Sequence, residues 1–307
     1  LHGEPVYEYT HPPLGKLLMS LGVLVFGMTP FGWRVSGALV GVAMVPALYL
    51  LAKQLTKKTW PSALAATLLC LDFMHYTQTR IATIDSYPVL FIMLSCFFML
   101  RFLQRDIGAP QASALWRSLP DLALSGLCFG LSAASKWIGL YAGAGLAVLF
   151  FWKLIASLHR AYDAAPAQRK PQWMAFAVGL IPAGLIAVGV TFLLQEWNVS
   201  LFAAAAAGLI AAIACHGLGL ALYTRLTFGP TEAWMRGWRR WLLLILFCGL
   251  FFVAVPALIY ALCFIPRLST HHAEGLTAWL NELFREQANM YNYHTIPGLG
   301  MDPPFYS

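Results

Sequence analysis

Four ionisable side chains lie close together in the segment LDFMHYTQTRIATIDSY, residues 71–87, between two long apolar runs: Asp72, His75, Arg80 and Asp85. Ionisable groups at the level of a membrane are costly, so several in one short segment indicate a site. A planar guanidinium suits a phosphate, and we expect Arg80 to bind one while Asp72 or Asp85 orients it. The alternative is an interhelical ion pair that only fixes packing.

Two further segments place cations beside short or rigid connections. In EPVYEYTHPPLGKLL, residues 4–18, the proline pair stops regular structure and is expected to leave His11 and Lys16 at an exposed turn. In SAASKWIGLYAG, residues 132–143, Lys136 lies between two apolar runs. We expect these cations to lie at one level with Arg80 and to attract an anion; a Lys16 that only reaches the membrane interface is the alternative.

The elements that must position these residues are apolar. The 307 residues are 59% hydrophobic and 11% charged, which excludes a soluble globular enzyme. Apolar stretches of roughly bilayer-crossing length predict an all-α polytopic membrane protein with about eight transmembrane helices. The stretches are 35–52, 62–77, 87–103, 121–134, 138–156, 174–195, 200–224 and 241–265.

The net charge of +7 follows the predicted topology. Fourteen of the 20 Lys and Arg fall on one side of the predicted helices, and short loops rich in positive charge stay in the cytoplasm. The segments expected to face outward are 1–33, 78–86, 135–137, 196–199 and 266–307. Topology thus explains the basic residues without a nucleic-acid partner.

The predicted transmembrane core covers residues 1–265, and an outward-facing segment, 266–307, follows it. Apolar residues at helical spacing predict an amphipathic helix over 273–288, which lies either on the outer membrane surface or against its own protein. The chain begins at Leu1 and shows no signal peptide. We therefore expect a piece of a longer protein.

No metal site is predicted. The six cysteines lie in or beside apolar stretches without ligand-like spacing, and we interpret them as buried hydrophobic residues. His271 and His272 are adjacent, so they point to different faces of a helix and make a poor ligand set. A divalent cation is compatible with phosphate chemistry, but no residue pattern implies one.

Five short segments resemble, in order, the motifs of the protein O-mannosyltransferase family. They are HPPLGK (11–16), FGWR (31–34), QTRIATID (78–85), SKWIGLY (135–141) and MYNYHT (290–295). Five ordered motifs are far more specific than one short match. The resemblance implies a C-type glycosyltransferase, and because no outward loop could hold the soluble domain of eukaryotic members, it favours a prokaryotic type in the plasma membrane over the endoplasmic reticulum.

The implied reaction is an inverting transfer of mannose from a polyprenyl or dolichyl phosphate to a Ser or Thr hydroxyl of an exported protein. It needs a carboxylate to accept the hydroxyl proton and cations to stabilise the leaving phosphate. In the family the carboxylate comes from an Asp-Glu pair upstream of HPPLGK, in a stretch that this chain lacks together with the first membrane span and later spans. Glu4 and Glu8 are the nearest carboxylates; we do not assign them the base role, and only Glu8 is kept as a candidate for substrate contact.

The resemblance also implies roles for single residues. Arg80 would handle the lipid phosphate, and Asp85 would position Arg80. The further phosphate or substrate ligands would be Lys136, His11 and Lys16. Tyr291 and His294 would either line the acceptor groove or pack the outer loop.

Three other functions compete with this one. Another C-type transferase would use the same donor chemistry on a lipid or a glycan. The segments HPPLGK and MYNYHT favour the protein O-mannosyltransferase family over this alternative. A membrane transporter would place charges and broken helices at mid-bilayer, whereas His216, Pro182 and Pro256 in the predicted spans are of the kind that more often serves helix packing. A membrane scaffold without catalysis would leave the outer cations without a ligand.

Overall fold

The computed structural model of the protein is helical throughout the part of the chain that it describes, and in that part it contains no strand, which confirms the all-α prediction. The described residues are 10–105, 113–163, 169–196, 204–205, 207–213, 215–216, 219, 243–268 and 275–295. The chain divides into two compact units, the first formed by Leu1–Trp152 with Ile245–Ser307 and the second by Lys153–Leu244. All five motif segments belong to the first unit.

The helices are numbered in chain order. The first unit contains α1 (Leu14–Phe26), α2 (Pro30–Thr56), α3 (Thr59–Leu71), α4 (Phe73–Arg80), α5 (Ser86–Gln104), α6 (Ser113–Ser135) and the start of α7 (Ile138–Asp163). The second unit contains α8 (Arg169–Glu196). The first unit resumes within α9 (Leu243–Cys263), which has a π-helical turn at Leu250–Ala254, and ends with α10 (Ile265–Leu268) and α11 (Leu276–Thr295).

Several of these helices have the character of membrane spans. Among the described residues, the helical segments long and apolar enough to cross a membrane are Pro30–Thr56, Ser86–Gln104, Val178–Glu196 and Leu243–Cys263. The helices α1, α3 and Ile138–Lys153 are apolar but shorter. The predicted stretch 200–224 lies partly outside the described residues. The helices accordingly have the length and composition of a multi-pass membrane protein.

The bounds of one predicted span are wrong, because stretch 62–77 is divided between two helices, α3 and α4. The backbone leaves helical geometry at Asp72, which ends α3 and begins α4. The Oδ2 atom of Asp72 accepts a hydrogen bond from the backbone N–H of His75 at 2.7 Å and so caps the new helix. Asp72 therefore serves the backbone of α4 and does not orient Arg80.

The proline pair of the first segment is not at an exposed turn. Pro12 and Pro13 are buried, and α1 begins directly after them. His11 and Lys16 are half-buried, with Lys16 in the first turn of α1. A proline is accepted at this place because the first helical N–H groups need no intrahelical partner.

Glycines allow α1 and α4 to pack closely on α2. A Cβ added at Gly22 would lie 2.3 Å from the carbonyl oxygen of Gly32, so α1 lies against the first turns of α2. A Cβ at Gly41 would lie 2.6 Å from the Cβ of Thr79, which places α4 across the Gly37–Gly41 face of α2. Small residues four apart are a common device for close helix packing in membranes.

Serine hydroxyls join α5 to α6. Ser95 Oγ donates to the carbonyl oxygen of Ser125 at 2.8 Å, and Ser125 Oγ donates to the carbonyl oxygen of Ser95 at 2.9 Å. Nearer the start of α5, Ser132 Oγ donates to the carbonyl oxygen of Pro88 at 3.1 Å. These bonds fix the end of α6 beside the start of α5.

The other face of α6 packs on α9. A Cβ at Gly126 would lie 2.2 Å from the carbonyl oxygen of Phe251 in the π-helical turn, and one at Gly130 would lie 2.9 Å from the Cα of Pro256. α6 is therefore the helix on which both α5 and α9 pack.

The predicted amphipathic helix is present but ends later. α11 runs to Thr295 and so includes MYNYHT, while residues 273 and 274 lie outside the described residues. Met290 on this helix is fully buried together with Phe264. Trp279 and Leu283 of this helix pack against Phe264 and Met290, so one face lies on the protein itself, and Phe284 is exposed.

The second unit contains none of the candidate site residues. A Cβ at Gly208 would lie 2.3 Å from the carbonyl oxygen of Ala187, so the residues after α8 pack closely on it. Ala204, in the segment after α8, is fully buried.

The six cysteines are free thiols. Cys128 is buried, but Cys70 and Cys215 are exposed on helices, so the interpretation of all six as buried residues is wrong for these two.

Candidate functional site

Three motif segments meet at Gly15. A Cβ at this position would lie 3.0 Å from the Cβ of Ile84 and 3.7 Å from the carbonyl oxygen of Ser135. The missing side chain thus lets the first turn of α1 approach both the loop after α4 and the end of α6. HPPLGK, QTRIATID and SKWIGLY are brought to one point.

An ion pair lies beside this point. Lys136 Nζ is 2.5 Å from Asp85 Oδ1, and the side chains are 29% and 47% exposed respectively. Lys136 follows the end of α6 and Asp85 precedes α5, so the serine-bonded packing of the two helices brings them together. Asp85 was expected to position Arg80; in the structure its carboxylate contacts Lys136 instead.

Arg80, the last residue of α4, is exposed and oriented by an aromatic ring. Its Nη1 atom donates to the hydroxyl of Tyr76 at 2.5 Å, and its guanidinium carbon lies 4.6 Å from the centre of the Tyr76 ring. Within the described part of the chain, no carboxylate forms an ion pair with Arg80. The positive charge of the guanidinium therefore lies at the surface without a carboxylate of the described residues to balance it.

The last motif packs on the first. The rings of His11 and His294 are stacked, with centroids 5.5 Å apart and planes at 27°. His294 Nε2 lies 3.0 Å from the carbonyl oxygen of Thr10; since a carbonyl can only accept, this nitrogen carries the proton. The ring of Trp137 lies 6.1 Å from that of His294. MYNYHT thereby contacts both HPPLGK and SKWIGLY.

The remaining candidates are placed as follows. FGWR forms the first turn of α2, where Gly32 packs against α1 and Arg34 is exposed, and among the described residues it makes no contact with the candidate cations. Tyr291 is 60% exposed on α11, whereas His294 is in the cluster just described. Glu8, like His271 and His272, lies outside the described residues.

Two hydrogen bonds that no sequence pattern predicted connect Trp137 to α9 and α11. The indole N–H of Trp137 donates to the hydroxyl of Tyr260 at 3.0 Å, and that hydroxyl donates to Gln287 Oε1 at 2.5 Å. Only the position of Trp137 next to Lys136 could have drawn attention to it. Tyr260 and Gln287 lie in an apolar span and an amphipathic helix, and neither carried a signal.

Two buried polar side chains were also missed. The Oγ1 atom of Thr83, within QTRIATID, is buried and has no hydrogen-bond partner. A buried hydroxyl without a partner costs about 1–3 kcal/mol, so such an atom marks a position where a ligand oxygen would be stabilised. Glu286 is a buried carboxylate on α11.

The candidate site contains two cations, Arg80 and Lys136, that could bind an anion. Arg80 precedes the loop that contains Thr83, and Lys136 contacts Asp85 at the end of that loop. Trp137, the chain neighbour of Lys136, contacts the ring of His294, which is stacked on that of His11. In the described residues, no group of three or more His, Cys, Asp or Glu could hold a metal ion. The described carboxylate at this place, Asp85, is engaged by Lys136.

Comparison with known proteins identifies the family that the five motif segments resemble. The sequence profile described as dolichyl-phosphate-mannose-protein mannosyltransferase matches residues 22–195. Relatives in Mycobacterium tuberculosis (29% identical over 56% of this chain and 36% of the relative) and Mycolicibacterium smegmatis (strain MKD8; 32% over 46% and 29%) are named polyprenol-phosphate-mannose--protein mannosyltransferase. Protein O-mannosyl-transferase 2 of Danio rerio is 29% identical over 48% of this chain and 22% of the relative.

The matches have a limited extent. The chain spans about a third of the length of the mycobacterial relatives. No solved structure matches it. The profile nevertheless covers more than half of the chain, from α1 to the end of α8, and includes three of the five motif segments. The chain belongs to the dolichyl-phosphate-mannose-protein mannosyltransferase family.

Proposed function

We propose that this chain is part of a membrane enzyme that transfers mannose from a polyprenyl-phosphate donor to Ser or Thr hydroxyls of exported proteins, with inversion at the anomeric carbon. The observation that carries the proposal is the convergence of four motif segments around the Asp85–Lys136 pair. Family membership and the names of the mycobacterial relatives supply the substrate class.

In the proposed reaction the cations act on the leaving group. The acceptor hydroxyl attacks the anomeric carbon of mannose, the bond from that carbon to the phosphate oxygen breaks, and polyprenyl phosphate leaves with an increased negative charge. Arg80 and Lys136 stabilise this charge, with His11 and Lys16 as further ligands of the donor. No acid is needed because phosphate leaves as an anion, and the hydroxyl proton goes to a carboxylate base that the family resemblance places upstream of HPPLGK.

The topology belongs to the same proposal. We place eight spans in residues 1–265, the Arg- and Lys-rich ends in the cytoplasm and the motif cluster on the outer side, in the plasma membrane of a prokaryote. The segment 266–307 faces outward, so that α11 carries Tyr291 and His294 to the side where an exported protein arrives.

The test uses the full-length protein in detergent, with polyprenyl-phosphate mannose labelled in the sugar and a Ser/Thr-rich peptide. We expect the wild type to label the peptide and Arg80→Ala to lose at least about 100-fold in rate, the scale for removing a preorganised charge partner. Arg80→Lys keeps the charge without the planar fork and should retain part of the activity. Arg117→Ala, an exposed arginine at the start of α6, is the matched control and should behave as wild type.

Other outcomes separate the competing functions. If a lipid or glycan is labelled and the peptide is not, the proposed acceptor is wrong and the proposed donor is retained. Failure of the wild type to bind the donor would contradict the proposal and favour the transporter or the scaffold. Parallel reactions with EDTA, followed by added Mg²⁺ or Mn²⁺, test the hypothesis that a divalent cation shares the donor phosphate.

A further inference from the structure

A directional series of hydrogen bonds connects α11 to the end of α6. The indole N–H of Trp137 can only donate, so the hydroxyl oxygen of Tyr260 accepts and its proton is directed to Gln287 Oε1. The amide of Gln287 then donates through Nε2 to the carbonyl oxygen of Leu283 at 3.2 Å. Every donor in the series has an acceptor, and the orientation of each group is fixed by the one before it. We call the Trp137–Tyr260–Gln287 series the tether.

The tether lies in apolar surroundings. Phe264 and Met290 are fully buried beside it, and Trp279 and Leu283 pack against them. Water has little access to replace a lost bond in such a place, and an unpaired polar group there is costly. The tether should therefore hold α11 in one register.

The register of α11 decides where His294 lies. His294 follows Gln287 by two helical turns, and its ring contacts both Trp137 and His11. Lys136 is the neighbour of Trp137 in the chain and is held separately by Asp85. The tether thus sets the position of His294 relative to the cations. It does so although Tyr260 and Gln287 lie on α9 and α11, whereas Arg80 lies on α4.

We propose that Tyr260 and Gln287 are positioning residues that hold α11, with His294, against the donor-binding cations, and that they act on use of the acceptor rather than of the donor. This inference rests on the proposed function. Neither residue is assigned a contact with substrate. Because Lys136 and Arg80 keep their own partners, Asp85 and Tyr76, when the tether is broken, the two main cations proposed for the donor should stay in place.

The test compares the full-length wild type with Tyr260→Phe and Gln287→Met, which keep the size of each side chain and remove its hydrogen bonds. Tyr87→Phe is the matched control, since it removes one tyrosine bond, to Ser36 Oγ at 3.0 Å, at the α2–α5 packing of the same unit. We expect KM for the peptide acceptor to rise about tenfold in both tether variants, with KM for the donor unchanged. The double variant should be no worse than the poorer single variant, since each breaks the same series.

A readout without activity accompanies the kinetics. Hydrogen exchange of the α11 amides should be faster in Tyr260→Phe than in the wild type and unchanged in Tyr87→Phe. Equal acceptor KM and equal α11 exchange in Tyr260→Phe and Tyr87→Phe would overturn the inference, as would an equal rise in donor and acceptor KM. If the wild type transfers no mannose, the proposed function fails, and the exchange comparison still decides whether the tether holds α11.

Discussion

Two ion pairs at opposite ends of α5 use the same side-chain chemistry in different ways. Near its C-terminal end, Asp121 of α6 is 4% exposed, forms an ion pair with Arg101 Nε at 3.0 Å and accepts a hydrogen bond from Arg105 Nε at 2.6 Å. At its N-terminal end, Asp85 is 47% exposed and contacts Lys136. α5 has 19 residues, so roughly 28 Å separates the two places.

The difference separates a pair that joins helices from one that is open to a ligand. The buried carboxylate of Asp121 is shared by two guanidinium groups. Removing these partners would leave a buried negative charge unpaired, which is costly. An exposed Asp-Lys pair contributes at most about 1 kcal/mol, so Lys136 can turn to a phosphate at small cost. Burial of the acid, rather than the presence of charges, distinguishes the structural pair from the candidate site.

The largest expected effect is at the open pair. If the proposed function is correct, Lys136→Met should lower mannose transfer by about 100-fold, because the cation proposed to stabilise the leaving phosphate is lost, while the thermal stability of the protein stays within a few degrees of wild type. Asp85→Asn should be milder, about tenfold, because Lys136 is kept but loses its partner. Turnover and unfolding temperature in the same detergent check both values.

An Lys136→Met protein that keeps its turnover and loses stability would reverse the comparison. The pair at Asp85 would then be a packing contact like the one at Asp121.

At the buried pair the effect should be on stability. Asp121→Asn should lower the free energy of unfolding by about 1–3 kcal/mol, since two arginines lose a shared buried carboxylate but remain partly exposed to solvent. The rate per folded molecule should not change. Equilibrium unfolding in mixed micelles measures the stability.

A triple replacement sharpens this prediction. Arg101→Met, Arg105→Met and Asp121→Leu together should recover most of the lost stability, because apolar residues can replace a buried ion pair without a net cost. Continued loss in the triple variant would mean that the charges do more than join α5 to α6.

The smallest expected effect concerns Thr83, next to the open pair. Thr83→Val should raise KM for the donor about fivefold, as expected for a single lost hydrogen bond, and Thr83→Ser should keep the wild-type value. Stability should not fall in Thr83→Val, since the free protein offers this hydroxyl no partner. An unchanged donor KM would mean that the donor does not use this atom.

Sequence patterns were sufficient for some features because the bilayer imposes them. Run length and low charge predicted the helices that contain 35–52, 87–103 and 174–195, and four of the five motif segments, all except FGWR, meet at the candidate site. The break at Asp72 could not be predicted, because one residue's backbone angles decide whether its carboxylate caps a helix or points elsewhere.

The contacts between residues of the candidate site could not be predicted from the sequence for another reason. Asp85 and Lys136 are 51 residues apart, and Trp137 and Tyr260 are 123 apart, so both contacts depend on which faces of α5, α6 and α9 pack together. Arg80 and Asp85 are close in sequence, which made them a natural pair, but α4 directs Arg80 to Tyr76.

The reciprocal bonds between Ser95 and Ser125 have a consequence for the order in which the protein is made. Both bonds join helices that leave the ribosome one after the other, so α5 and α6 can dock as a hairpin as soon as both are inserted. α9 and α11 are synthesised more than a hundred residues later, and α9 then packs on the face of α6 that carries Gly126 and Gly130. Biogenesis thus completes the candidate site last, after the hairpin that carries Asp85 and Lys136 already exists.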